Sequence, residues 1–230
     1  MKDNVMEKVN VDKTEVLRYL GYNNQPLSVE TETMIDSLID RCMHLAIQSY
    51  TYKTYEIDDG DKGIYVKKLG LVFPGADIRK HLDGCDNCVI MAVTCGMGVE
   101  RELLRLQRVS MTEAVIFDAC ANTYVESLAD CVQSLVEEEA RAEGKYITDR
   151  YSPGYGDFPL DMQRLLVPGL ECEKRIGLTV TDSSLLIPHK SVTAVIGLRD
   201  TVADKIKRNC KDCNMYDTCT MRKNGDRCVK

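Results

Sequence analysis

The chain has 230 residues, enough to bury a proper core in one domain. Its 30 Lys and Arg stand against 36 Asp and Glu, and the resulting net charge of −6 argues against a general nucleic-acid binder held by phosphate contacts. Met1 to Asp12 is charged and lacks the apolar core of a signal peptide, and no run approaches the roughly 20 apolar residues of a membrane span, so a cytoplasmic protein is expected.

In chain order, Asp12 is placed to cap a short helix carrying Val16, Leu17 and Leu20, which Gly21 stops. Ser28 is placed to cap a second, with Met34, Ile35, Leu38, Ile39, Cys42 and Met43 on one face. Tyr50 to Phe73 is rich in Tyr, Val and Thr and is broken by Asp58-Asp59-Gly60-Asp61-Lys62-Gly63, which predicts strands joined by a hairpin. One helical turn is expected at Asp77 to Leu82, a buried strand at Cys88 to Thr94, and a helix at Val99 to Val109.

Ser110 followed by Glu113 is a capping-box pattern. It heads a long helix in which Val115, Ile116, Ala119, Cys120, Leu128, Val132 and Leu135 recur at helical spacing until Gly144; the later half is acidic, with Glu126, Asp130 and Glu137 to Glu139. A loop follows from Tyr146 to Phe158, then a short helix begun by Pro159, then two or three strands within Leu178 to Leu198. Helices and strands do not alternate strictly, so the class is α+β, with a domain over residues 1–203 and a basic, Cys-rich tail over 204–230.

Arg150-Tyr151-Ser152-Pro153-Gly154-Tyr155 joins a fixed cation to aromatic faces and a turn. An Arg grips a carboxylate with two parallel hydrogen bonds, and Tyr stacks on a flat ring. Composition by itself favours a solvated surface turn. Arg150-x-x-Pro153-Gly154-Tyr155, followed by Leu178-Thr179-Val180-Thr181-Asp182-Ser183 and Ile187-Pro188-x-x-Ser191-Val192, resembles the reactivation domain of cobalamin-dependent methionine synthase over about Val89 to Arg199. The resemblance implies a twisted, mainly antiparallel sheet with packed helices. It implies S-adenosylmethionine bound by Arg150, Gly154 and Tyr155, with Glu126 as the acidic contact from the long helix; Ser152 and Pro153 of the same loop are counted with them as ligand-binding residues. It also implies the task of reductive remethylation of cob(II)alamin, with an electron from a flavodoxin- or ferredoxin-like donor.

None of the three histidines, His44, His81 and His189, sits in an Asp-x-His-x-x-Gly corrinoid-ligand pattern. Cobalamin is therefore expected only through a partner in trans, a methionine synthase module or another corrinoid protein. Cys210-x2-Cys213-x5-Cys219-x8-Cys228 in the polar tail suits an iron-sulfur cluster, with zinc or unligated thiols as alternatives, and an electron-transfer adaptor without methyl-donor binding is the competing reading of the whole chain. Cys85-x2-Cys88 reads as two buried or half-buried thiols, and Cys42, Cys120 and Cys131 as helix core. Thr94 to Glu100, with Gly96 and Gly98, reads as a strand-to-helix turn rather than a phosphate site.

Overall fold

The run Cys88 to Val93 is apolar at every position, a pattern that suits a strand covered on both faces. In a computed structural model, which describes residues 9–22 and 25–201, strand β4 (Asn87–Thr94) lies at the centre of a six-stranded antiparallel sheet. All described residues but Thr201 belong to one unit, Met1–Asp200. Around β4 the sheet is built from β1 (Ser49–Gly60), β2 (Gly63–Val66), β3 (Leu71–Phe73), β5 (Tyr146–Ile147) and β8 (Ser191–Arg199), in the order β3-β2-β1-β4-β8-β5. A separate hairpin pairs β6 (Thr179–Val180) with β7 (Leu186–Ile187).

Side-chain alternation along the central strands divides the core in two. Val89, Met91 and Val93 of β4, with Ala194, Ile196 and Leu198 of β8, face one layer of helices. That layer holds α1 (Lys13–Tyr19), α2 (Val29–Leu45), α4 (Met97–Val109) and α5 (Met111–Ala142). Cys88, Ile90 and Ala92, with Val195, face the opposite layer. There the chain forms α3 (Ala76–His81), a 3-10 turn (Leu160–Met162), α6 (Gln163–Gly169) and α7 (Cys172–Ile176).

The predicted caps are made. Asp12 accepts from the Thr14 amide, Ser28 from that of Thr31, and Ser110 from that of Glu113. Beyond Ser110, α5 runs for 32 residues without a break and packs against α2, α4 and the sheet. Its buried face carries Phe117, Cys120, Tyr124, Leu128 and Val132.

Two expectations are adjusted. The acidic Asp58 and Asp59 extend β1 instead of forming the turn, which tightens to Asp61 and Lys62. The single short helix after Pro159 is a 3-10 turn followed by two helices, α6 and α7. The Thr94 to Glu100 turn is a matter of close approach: a side chain at Gly98 would run into the carbonyl of Leu45. No helix among the described residues is long and apolar enough to cross a membrane.

Candidate functional site

From Tyr146 the chain runs antiparallel beside β8. Ile147 is opposite Leu198, the Thr148 amide bonds the Gly197 carbonyl at 3.0 Å, and Tyr151 exchanges two backbone bonds of 2.9 Å with Val195. Three steps from Thr148 to Tyr151 are thus set against two on β8, which makes a β-bulge at Asp149 and Arg150. Thr148 and Tyr151 both turn to the second core layer, where Thr148 bonds His81 at 2.8 Å and the Tyr151 ring lies 5.0 Å from the His81 ring. Between them the bulge sends Arg150 toward α5 on the other side.

The Arg150 side chain is only 17% exposed and meets three acceptors on α5. Nη1 donates to Asp130 Oδ1 at 2.7 Å and to Gln133 Oε1 at 3.1 Å, and Nη2 donates to Glu126 Oε2 at 3.2 Å. Positions 126, 130 and 133 are four and three apart, so they share one helix face. Glu126 and Asp130 remain open to solvent, at 51% and 73%. Two of the residues expected to act together, Arg150 and Glu126, are therefore joined.

The rest of the loop is fixed differently. Pro153 is buried; Gly154, at φ +95°, donates its amide to the Phe158 carbonyl at 2.8 Å; and the Tyr155 amide bonds the Ser152 carbonyl at 3.2 Å. Asp157 caps α3 through the amides of Ala76 (2.6 Å) and Asp77 (3.0 Å). Tyr151 and Phe158 are spent on packing, the latter edge-on to Phe73 at 5.4 Å. Of the rings from Tyr151 to Phe158, Tyr155 is the one that stays outside, 65% exposed, with its ring 6.3 Å from that of Tyr151. So the guanidinium and the aromatic ring leave this segment on different sides, which the loop's composition did not indicate.

The second motif block reaches the same helix. Lys190, 14% exposed, donates to Asp118 Oδ1 at 2.7 Å and Asn122 Oδ1 at 2.8 Å. Its neighbour His189 is bound to Glu100 through its ring at 2.6 Å and its amide at 3.0 Å. Asp118, Asn122, Glu126 and Asp130 follow at every fourth residue, so α5 exposes one polar ridge that takes a cation from each block. Tyr19 of α1 borders this ridge, its phenol pKa raised first by burial and then by the negative charge of Glu126. Sequence reasoning singled out Glu126 and missed Asp130, Gln133 and Asn122 on the same helix face, and Lys190 against it. The four-residue spacing of Asn122, Glu126 and Asp130 was the available signal on the helix; Lys190 had none.

The cysteines of the described residues are core or near-core groups. Cys88 is fully buried and Cys85 half-buried, and burial pushes their thiols up to about 12 and about 11. No group of three or more potential ligands that could hold a metal occurs among the described residues. Cys210, Cys213, Cys219 and Cys228 lie outside them.

An antiparallel sheet between two helical layers, with an Arg thrown from an edge bulge onto a charged helix ridge, defines the class as an α+β domain with a zwitterionic side-chain cluster at one sheet edge. The family model described as the vitamin B12 dependent methionine synthase activation domain matches residues 77–203, more than half of the chain. The chain belongs to that family. Its fold is similar to that of a solved structure titled "Crystal Structure of the MetH Reactivation Domain bound to AdoHcy", with a TM-score of 0.63 at 15% identity over 98% of this chain and 84% of the other. No curated protein matches the chain.

Proposed function

We propose that this domain binds S-adenosylmethionine and presents its methyl group to the cobalamin of a separate corrinoid protein, methionine synthase or a related methyltransferase. The observation that carries the reading is the Arg150 guanidinium held between Glu126 and Asp130 in a chain of the activation-domain family. The amino-acid end of the donor is a zwitterion, and this cluster offers a planar fork for its carboxylate and a carboxylate for its ammonium. Gly154 and Tyr155 lie four and five residues further on, and for the exposed Tyr155 ring, on the other side of the segment, to stack on adenine the ligand has to reach round the loop.

The partner's cobalamin supplies the reduced cobalt that accepts the methyl group once an electron has come from a flavodoxin- or ferredoxin-like donor. This chain's residues would contribute binding and orientation, with Arg150 and an α5 acid holding the amino-acid end of the donor. For the tail from Asp204 on, the proposal is an iron-sulfur cluster at Cys210, Cys213, Cys219 and Cys228, checked by iron content and visible absorbance after anaerobic purification; zinc is the competing occupant.

The direct test mixes the protein with cob(II)alamin-loaded partner, a one-electron reductant and S-adenosylmethionine. Methylcobalamin is expected to return faster with the protein than without it. An unchanged rate, together with no S-adenosylmethionine binding by calorimetry, sinks the reading in favour of an electron-transfer adaptor.

A further inference from the structure

Along the exposed ridge of α5 the charges fail, among the described residues, to cancel at one place. Toward its start Asp118 is matched by Lys190 at 2.7 Å, and toward its end Glu137 is matched by Arg141 at 2.6 Å. Asn122 and Gln133 are neutral amides. Between them Glu126 and Asp130 share the single guanidinium of Arg150, so this stretch carries one carboxylate in excess.

A sulfonium methyl donor has three charges at its reactive end: a carboxylate, an ammonium and the sulfonium itself. Its demethylated thioether product keeps the first two and loses the third. Seating the shared amino-acid end exchanges partners without a remainder, since Arg150 turns from a helix acid to the ligand carboxylate and one helix acid takes the ammonium. The other acid then faces a positive sulfur in the donor and a neutral one in the product.

Resting on the reading above, we infer that Asp130 is a specificity-determining residue that makes this site favour the sulfonium donor over the thioether product. Glu126 is the acid that the family resemblance already assigns to the ligand, and Asp130 is the surplus one. It makes the shorter bond to Arg150, 2.7 Å against 3.2 Å, yet is 73% exposed, so its carboxylate is free to swing once the ligand displaces it. Loss of the methyl group removes the charge that held the donor, which promotes product release and reloading. Solvent screening at so exposed a group limits the preference to several-fold and makes it dependent on salt.

The test is calorimetry on the full chain with S-adenosylmethionine, S-adenosylhomocysteine and sinefungin, which carries an ammonium where the donor has its sulfonium. The wild type should bind both cationic ligands about fivefold tighter than S-adenosylhomocysteine at low salt, with the gap narrowing as salt rises. Asp130→Asn, shown to be folded by its thermal transition, should bind S-adenosylhomocysteine as before and lose the gap. An unchanged donor-to-product ratio in Asp130→Asn overturns the inference. So does an equal loss for all three ligands, which would make Asp130 a prop for Arg150 and nothing more. Failure of the wild type to bind any of the three removes the proposed function itself, a different result from either.

Discussion

Glu100 and His189 are 89 positions apart in sequence and meet at 2.6 Å, with the second carboxylate oxygen taking the His189 amide at 3.0 Å. Glu100 is 6% exposed, in the first turn of α4, so it clips the second motif block to the helix layer. Glu100→Gln turns one acceptor into a donor against the imidazole and the amide. It should cost about 1–3 kcal/mol in urea unfolding. His189→Ala should cost a similar amount, and the double variant clearly less than the sum, because both remove one interaction.

Arg150→Ala should weaken S-adenosylmethionine binding by about tenfold or more in calorimetry, since a ligand carboxylate then enters a cluster of two acids with no cation. Thermal stability should change little, because Glu126 and Asp130 are both more than half exposed and water receives them readily. Arg150→Lys should recover only part of the affinity, as an ammonium cannot reproduce the planar fork.

Gly156→Ala should disrupt the loop. At φ +53° the residue is left-handed, and an added Cβ would run into the Asp77 carboxylate and the Tyr151 hydroxyl. Those two groups bond the Asp157 amide and the Tyr155 carbonyl, so the change pulls apart the contacts that join the loop to α3. A loss of about 1–3 kcal/mol is expected, with increased proteolytic cleavage between Tyr155 and Phe158 as the readout.

Stability should fall on the alkaline side. Burial raises the thiols of Cys88, Cys95 and Cys120 to about 12 and those of Cys85 and Cys172 to about 11, from an ordinary 9.0. A raised folded-state value keeps the proton on in the native chain, while the unfolded chain ionises from about pH 9. The stabilisation is therefore whole below pH 9 and is lost as pH rises toward 11 and 12. Urea midpoints measured from pH 8 to pH 10.5 should decline, and Cys88→Ala should decline less steeply than the wild type.

The elements whose residues state their own environment were legible. Cys88 to Thr94 has no polar position short of Thr94 and became the central strand; Asp12, Ser28 and Ser110 cap helices by local geometry that needs no tertiary information. The α+β class also agrees with the sequence reading. What escaped depended on contacts distant in sequence. The Lys190 to Asp118 pair joins residues 72 positions apart, and no local pattern announces it. The bulge at Asp149 and Arg150 arises from the register against β8, so composition could not tell that the guanidinium and the Tyr155 ring part company. Asp58 and Asp59 read as turn formers, yet pairing with Tyr65 and Ile64 keeps them in β1.

Because α5 is one unbroken rod of 32 residues, Glu126 and Asp130 sit near its midpoint, about three turns or more from either end. Their amides should be among the last in the chain to exchange with deuterated solvent. A guest arriving there finds the acidic wall already rigid, and has only flexible side-chain tips left to organise.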